Sequence, residues 1–279
     1  MRVLAICHEF PPLGWGAGKQ LEKLARIIAA QHDLTVLTAG IESFGSTTRD
    51  GYRLIRIDTG RRRTDICTIR DLLRVTWKSW RLLPSAIGEQ VPDVALLFFT
   101  VPEGLLLSHP AMRGLPAVIS VRGSDVPGHD SDRSGLLYRL VTPLVRRVWR
   151  RAGARVCNSD DLKREVLQVC PDLDVEVVPN GVDTERFSPA GKWSPGTELR
   201  LLYSGRLIPL KNIDVIVEAV ALLRRKGHLV TLRIVGLGPQ EASLRGLVAK
   251  HRLEDAVDFG GAVAHDEMHR EYQRADLYI

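Results

Sequence analysis

Short apolar runs alternate with helix-patterned segments along almost the whole chain, and that alternation limits the fold more than any other feature. Runs suited to strands are Val3–Cys7, Leu34–Thr38, Leu54–Asp58, Val94–Thr100, Ala117–Val121, Val156–Asn158 and Val175–Val178. Helical patterns fall between them at Gly18–Gln31, Ile69–Gly88, Leu136–Ala152 and Ser159–Val169. The strand runs are apolar on both faces, so each needs cover on both sides; a parallel sheet between two helix layers supplies it. Ser188–Thr197 is rich in Pro, Gly and Ser and is expected to link two domains. The alternation then restarts, with strands at Leu199–Tyr203, Thr231–Val235, Val257–Phe259 and Leu277–Ile279. Helices are expected at Ile213–Arg225, Gln240–His251 and Asp266–Arg274. The expected architecture is α/β: two doubly wound domains, residues 1–189 and 190–279, with a cleft between them.

Composition closes off several function classes. With 44% apolar and 26% charged residues over 279 positions, the chain has ordinary globular composition and a length that suits two domains. Arg2–Ile6 is too short an apolar segment for a secretion signal. The longest apolar run, Val94–Leu107, is broken by Pro102-Glu103-Gly104 and cannot span a bilayer. Cys7, Cys67, Cys157 and Cys170 lack metal-ligand spacing and suit reduced thiols in a cytoplasmic protein.

The net charge of +6 is unevenly placed. Arg61, Arg62, Arg63, Arg70, Arg74, Lys78 and Arg81 face only Asp65 and Asp71 in the same stretch. A second run, Arg139 to Arg155, holds arginines and no acid. Within the first stretch, Arg70, Arg74, Lys78 and Arg81 recur at helical spacing beside Ile69, Leu73, Trp77 and Trp80. Such a helix suits the inner face of an anionic membrane, on which the protein would be peripheral. The alternative is a scaffold helix whose apolar stripe packs on a sheet. Nucleic acid is disfavoured, because no recognised binding motif accompanies the charge.

Three loops carry candidate chemistry. Ser204–Asn212 joins a strand to a helix and holds Arg206 and Lys211, two cations able to neutralise a departing diphosphate without a metal. A surface loop with two solvated cations is the alternative. Pro11–Lys19 also joins a strand to a helix, and its glycines allow close approach to an anion. Gly14, Gly16 and Gly18 alternate, so the loop is not a dinucleotide fingerprint. Asn180-Gly181, within Val178–Asp183, supplies a turn.

Taken in order, these segments resemble the retaining glycosyltransferases of family 4 (the group 1 glycosyltransferases), whose GT-B fold pairs two Rossmann-like domains. The matching segments are the glycine-rich first loop, Arg122-Gly123-Ser124-Asp125, Pro179–Asp183, Gly205-Arg206-Leu207 with Lys211, Val235–Pro239, Phe259–Val263 and Ala275-Asp276-Leu277. The resemblance implies transfer of a sugar from a nucleotide-diphosphate donor to a glycan or lipid-linked acceptor, with no metal or other cofactor required. It casts Arg206 and Lys211 as the diphosphate cations and Gly16 as a backbone approach to the donor phosphate. Ala262 and Val263 match the segment that meets the nucleobase, and Gly236 and Gly238 the wall of the cleft.

Two departures from the family pattern stand out. Many members have a histidine where this chain has Arg122, which cannot exchange a proton at neutral pH. A phosphate or acceptor contact is expected of it. Asp125 is expected either to bind an acceptor hydroxyl or to cap its own turn, and His8, His129 and His265 have no assigned role. The family also places two glutamates beyond the Ala-Asp-Leu strand, where this sequence stops. An incomplete second domain, and a chain with little or no transferase activity as it stands, are the expectations. Alternative readings are a nucleotide-sugar epimerase of the same fold and a nucleotide-binding remnant without catalysis.

Overall fold

The computed structural model describes residues 1–14, 16–62, 67–88, 91–128, 135–191 and 196–279, with backbone alone over 135–140. Arg63, Asp65, His129, the side chain of Arg139 and the linker residues 192–195 therefore lie outside the described residues. The chain divides into two compact units, Met1–Gly181 and Val182–Ile279.

The first unit is built on an eight-stranded sheet. Its strands are β1 (Arg2–Cys7), β2 (Asp33–Gly40), β3 (Gly45–Arg49), β4 (Tyr52–Asp58), β5 (Val94–Phe98), β6 (Ala117–Ser120), β7 (Ala154–Cys157) and β8 (Glu176–Val177). They lie in the order β3-β4-β2-β1-β5-β6-β7-β8. All pairings are parallel except the β3–β4 hairpin. The helices are α1 (Gly16–Ala29), α2 (Ile69–Ile87), α3 (Gly135–Arg151) and α4 (Asp160–Val169). Side chains alternate across a strand, and β1 divides accordingly. Leu4 and Ile6 join a core with Leu97, Ile119, Trp149 and Val166, while Val3, Ala5 and Cys7 join one with Leu21, Val36 and Phe98. Both faces of the sheet are thus dry, as the doubly apolar runs require. All four cysteines are free thiols, and Cys7, Cys157 and Cys170 are buried.

The hairpin strand β3 is the element that apolar patterning missed. Gly45–Arg49 is polar and mostly exposed, so it shows no alternation. Asp50 and Gly51 take positive φ values of 46° and 82°, the left-handed pair that a two-residue hairpin turn demands.

Helix α2 departs from the scaffold alternative, in which its apolar stripe packs on the sheet. Thr68 and Asp71 form a capping box at its start, and the buried residues are Val75, Ser79, Leu83 and Ala86. Ile69, Leu73, Trp77 and Trp80 are instead 68%, 66%, 56% and 36% exposed. No helix among the described residues is long and apolar enough to cross a membrane.

The second unit holds β9 (Leu199–Ser204), α5 (Ile213–Arg225), β10 (Val230–Val235), α6 (Glu241–Lys250), β11 (Val257–Gly261), α7 (Met268–Arg274) and β12 (Leu277–Tyr278). The sheet is parallel throughout, in the order β11-β10-β9-β12. Its core joins Leu201, Leu232 and Ile234 to Ile213, Val217 and Val220 of α5. The division between units falls at residue 181, ahead of the linker expected to mark it. Phe187 packs with Leu202, Val235 and Met268, and Arg186 pairs with Asp266 at 3.0 Å. Those contacts draw the segment before the linker into the second unit.

Candidate functional site

Strands β9, β10 and β11 end side by side, and the loops that follow them stay in register. Gly205 N–H donates to the Val235 carbonyl at 2.9 Å, Leu207 N–H to Leu237 at 3.0 Å, and Gly236 N–H to Gly261 at 2.8 Å. Gln240 N–H, at the start of α6, donates to Leu207 at 3.1 Å. The ladder therefore continues past the sheet into the loops. Glycine permits this closeness: a Cβ on Gly236 would lie 1.8 Å from the Gly205 carbonyl oxygen, and one on Gly238 would lie 2.3 Å from that of Leu207. Gly236 and Gly238 thus hold two neighbouring loops together.

The β9–α5 loop is pinned from inside. Tyr203 O–H donates to the Arg206 carbonyl at 3.0 Å, and burial pushes the Tyr203 phenol above its usual range. Leu207 and Ile213 are buried on either side of a short 3-10 turn, Pro209–Lys211. Asn212 then turns the chain into α5 with φ of 47°. Between these anchors Arg206 and Lys211 are exposed, and neither makes an ion pair among the described residues. Open parallel sheets bind ligands beyond the carboxyl ends of their strands, and both cations occupy that end of this unit. Ala262, just past β11, is exposed, whereas Val263 packs against Leu202, Val235 and Met268.

In the first unit, the glycines after β1 divide by role. Gly14 has φ of 74°, and a Cβ on Gly18 would meet the Glu9 carbonyl oxygen at 2.8 Å. Gly16 opens α1, is exposed, and has nothing within 4 Å of its Cβ direction. Internal packing requires Gly18 but leaves Gly16 open to an incoming group.

Asp125 ties the loops after β5 and β6 together. Its Oδ2 accepts Thr100 N–H at 2.6 Å and its Oδ1 accepts Arg122 N–H at 2.9 Å. Trp149 Nε1–H donates to Thr100 Oγ1 at 2.8 Å, anchoring the same loop to α3. Arg122 stacks 4.1 Å over the Phe98 ring, and its Nη1 donates to Asn180 Oδ1 at 2.9 Å. That bond links the loop after β6 to the Asn-Gly turn after β8. Burial pulls the Arg122 guanidinium below its usual range.

Sequence reasoning missed a buried pair at the end of β1. His8 Nδ1 lies 2.8 Å from Glu103 Oε1, and the His8 backbone N–H donates to the same oxygen. The residues are 95 apart in the chain, and no local pattern couples them. The break at Pro102-Glu103-Gly104 was the only available signal, since a carboxylate inside an apolar run needs a partner. Burial drives the Glu103 carboxyl up; for His8, burial acts downward, but the Glu103 charge and hydrogen bond prevail and raise it. Together they fix the start of the glycine-rich loop.

Known proteins match both units. A family profile described as Glycosyltransferase Family 4 covers residues 15–186, and one described as Glycosyl transferases group 1 covers residues 185–279. An Escherichia coli K12 protein named as colanic acid biosynthesis glycosyltransferase WcaL is 32% identical over 248 residues, which are 85% of this chain and 59% of that protein. A Mycobacterium tuberculosis GDP-mannose-dependent alpha-(1-6)-phosphatidylinositol monomannoside mannosyltransferase is 28% identical, over 99% of this chain and 71% of its own length. Among solved structures, sucrose-phosphate synthase from Thermosynechococcus elongatus superposes with a TM-score of 0.82 at 17% identity, covering 99% of this chain and 74% of that one. WaaG, a glycosyltransferase of lipopolysaccharide biosynthesis, gives 0.67 at 18% identity, over 99% of this chain and 74% of its own. These likenesses show the fold, two Rossmann-like units of the GT-B class. With most of its length matched by one family profile and the remainder by its companion, the chain belongs to glycosyltransferase family 4.

Proposed function

We propose that this chain carries the donor site of a retaining glycosyltransferase. The enzyme moves a hexose from a nucleotide-diphosphate sugar to a glycan or lipid-linked acceptor in surface polysaccharide or glycolipid synthesis. The observation that carries this reading is the pair Arg206 and Lys211. They project from a loop that Tyr203, Leu207 and two glycines hold rigid, at the ligand-binding end of a parallel sheet. A pre-organised guanidinium takes two phosphate oxygens at once, while an ammonium acts as a point charge. Both stabilise charge that grows as the nucleoside diphosphate departs, which is where such donors contribute most. No metal is required in this scheme. Ala262 and Val263 complete this unit's donor contacts, chiefly through backbone. The names of relatives support the choice of substrates: one is a mannosyltransferase using GDP-mannose, and a similar fold, HepE, was solved with UDP and glucose.

Product analysis tests the assignment. The full-length gene product, given radiolabelled nucleotide sugars, chelator and a panel of glycan and lipid acceptors, should yield a glycosylated acceptor with the donor's anomeric configuration. One nucleoside diphosphate should be released per transfer. Inverted product would rule out retention, and epimerised donor with no transfer would favour an epimerase.

The acceptor side of the proposal includes an anionic membrane surface. At about 100° per residue, Ile69, Leu73, Trp77 and Trp80 share one exposed strip of α2, and Arg70, Arg74 and Arg81 lie along its edge. Arg81 stacks 4.9 Å from the Trp77 ring, whereas Lys78 is turned back onto the Asp58 carbonyl. Each cation near an anionic surface contributes about 1 kcal/mol, so three give roughly a 100-fold preference for anionic lipid. Co-sedimentation with phosphatidylglycerol and phosphatidylcholine vesicles should reveal that preference. Leu73→Asp with Trp77→Asp should abolish binding without unfolding the chain, because both side chains are exposed. Equal binding to the two lipids removes the membrane role.

A further inference from the structure

Arg122 is a half-buried cation that makes no ion pair among the described residues. Its guanidinium is fixed from two directions, by the face of Phe98 at 4.1 Å and by Asn180 Oδ1 at 2.9 Å. Nε is shut away from water, and neither it nor Nη2 has a hydrogen-bond partner among the described residues. Asp125 holds the backbone N–H groups of Thr100 and Arg122 and makes no ion pair with the guanidinium. Burial disfavours the charge, and the Asp125 carboxylate offsets this only in part. An arginine in such a place is costly unless something anionic pairs with it.

The location suggests what that anion is. Arg122 follows β6, and Asn180 follows β8, so the fork stands at the carboxyl end of the first unit's sheet, where ligands of such sheets bind. Nε is shut in and Nη1 is held by Asn180, so Nη2 is the donor left for an oxygen of a carboxylate or phosphate, with the charge of the whole guanidinium behind it.

We infer that the first unit contains an oxyanion subsite, in which Arg122 grips a carboxylate or phosphate borne by the acceptor and Asn180 holds the guanidinium flat for it. The inference rests on the proposed acceptor role of this unit and narrows the acceptor to an anionic one. It also accounts for an arginine at a position where proton exchange is excluded. Carboxylate and phosphate are separate sources of one chemistry, and the probes below distinguish them.

The test measures binding by calorimetry in the full chain with Arg206→Ala and Lys211→Ala already in place, so that phosphate probes cannot report on that loop. The probes are methyl glucuronide, methyl glucoside 6-phosphate and neutral methyl glucoside. At least one anionic probe should bind about 10–100-fold more tightly than the neutral one, as a charge-assisted pair would. Arg122→Gln should erase the difference. Arg122→Lys should keep part of it, having charge but no guanidinium, and Asn180→Ala should weaken it several-fold. Thermal melts of each variant separate lost binding from lost folding. Equal binding of charged and neutral probes, binding of no probe, or a charged preference that survives Arg122→Gln in a folded chain would each overturn the inference. Nucleoside diphosphate binding by the chain with Arg206 and Lys211 intact is scored separately, so failure of the donor reading leaves a distinct signature.

Discussion

Replacing Gly236 with alanine should cost the second unit about 3 kcal/mol or more, while the same exchange at Gly246 should stabilise it. Gly236 sits at φ of 140°, a region L-residues enter only under strain of order 1–3 kcal/mol. Its new Cβ would also lie 1.8 Å from the Gly205 carbonyl oxygen. Both partners are backbone, so no rotamer change can relieve the overlap. Moving the loops apart would break the bonds from Gly205 to Val235 and from Gly236 to Gly261, at about 1 kcal/mol each. Gly246, inside α6, has nothing within 4 Å of its Cβ direction. A helix-interior Gly→Ala change there should add roughly 0.5–1 kcal/mol. Urea unfolding of the two variants should therefore shift the second unit's midpoint in opposite directions. A Gly236→Ala midpoint equal to wild type would mean the loops are not locked as described.

The parallel strands could be read from the chain because burial on both faces leaves a run with few polar interruptions. Strand β3 could not, since Gly45–Arg49 faces solvent and keeps its register through a turn alone. Helix α2 was legible as a helix but not in its orientation. It has apolar residues on two adjacent faces, and the sheet takes the smaller set, Val75, Leu83 and Ala86, leaving the tryptophan face outside. Periodicity marks amphipathicity; it does not say which apolar face meets the core.

The candidate site was legible in part for a similar reason. Arg206 and Lys211 belong to one loop whose strand and helix flanks are local signals. Gly236 and Gly238 could be matched to a cleft wall but not to the packing that requires them, because the neighbour that demands them, Gly205 with Leu207, is distant in sequence. The His8–Glu103 pair and the Arg122–Asn180 bond depend on strand order, β1 beside β5 and β6 near β8, which no stretch of residues encodes alone.

Removing the two cations of the β9–α5 loop should have the largest functional effect. Arg206 and Lys211 are exposed, so alanine at either leaves the core intact, and the backbone bonds of the loop do not involve their side chains. Charge-assisted hydrogen bonds are worth about 1.5–3 kcal/mol each, so losing both should weaken diphosphate binding by roughly 100-fold or more. Lys250, exposed at the end of α6, serves as the control for net charge; at 0.15 M salt, screening over about 8 Å should hold Lys250→Ala within two-fold of wild type. The decisive measurement is calorimetric titration of UDP, GDP and ADP, with chelator present, into wild type, Lys250→Ala and the Arg206→Ala/Lys211→Ala chain. Tight binding of at least one nucleotide to the first two, and its loss in the third, is the predicted result; undiminished affinity in the doubly substituted chain would contradict the donor site placed on that loop.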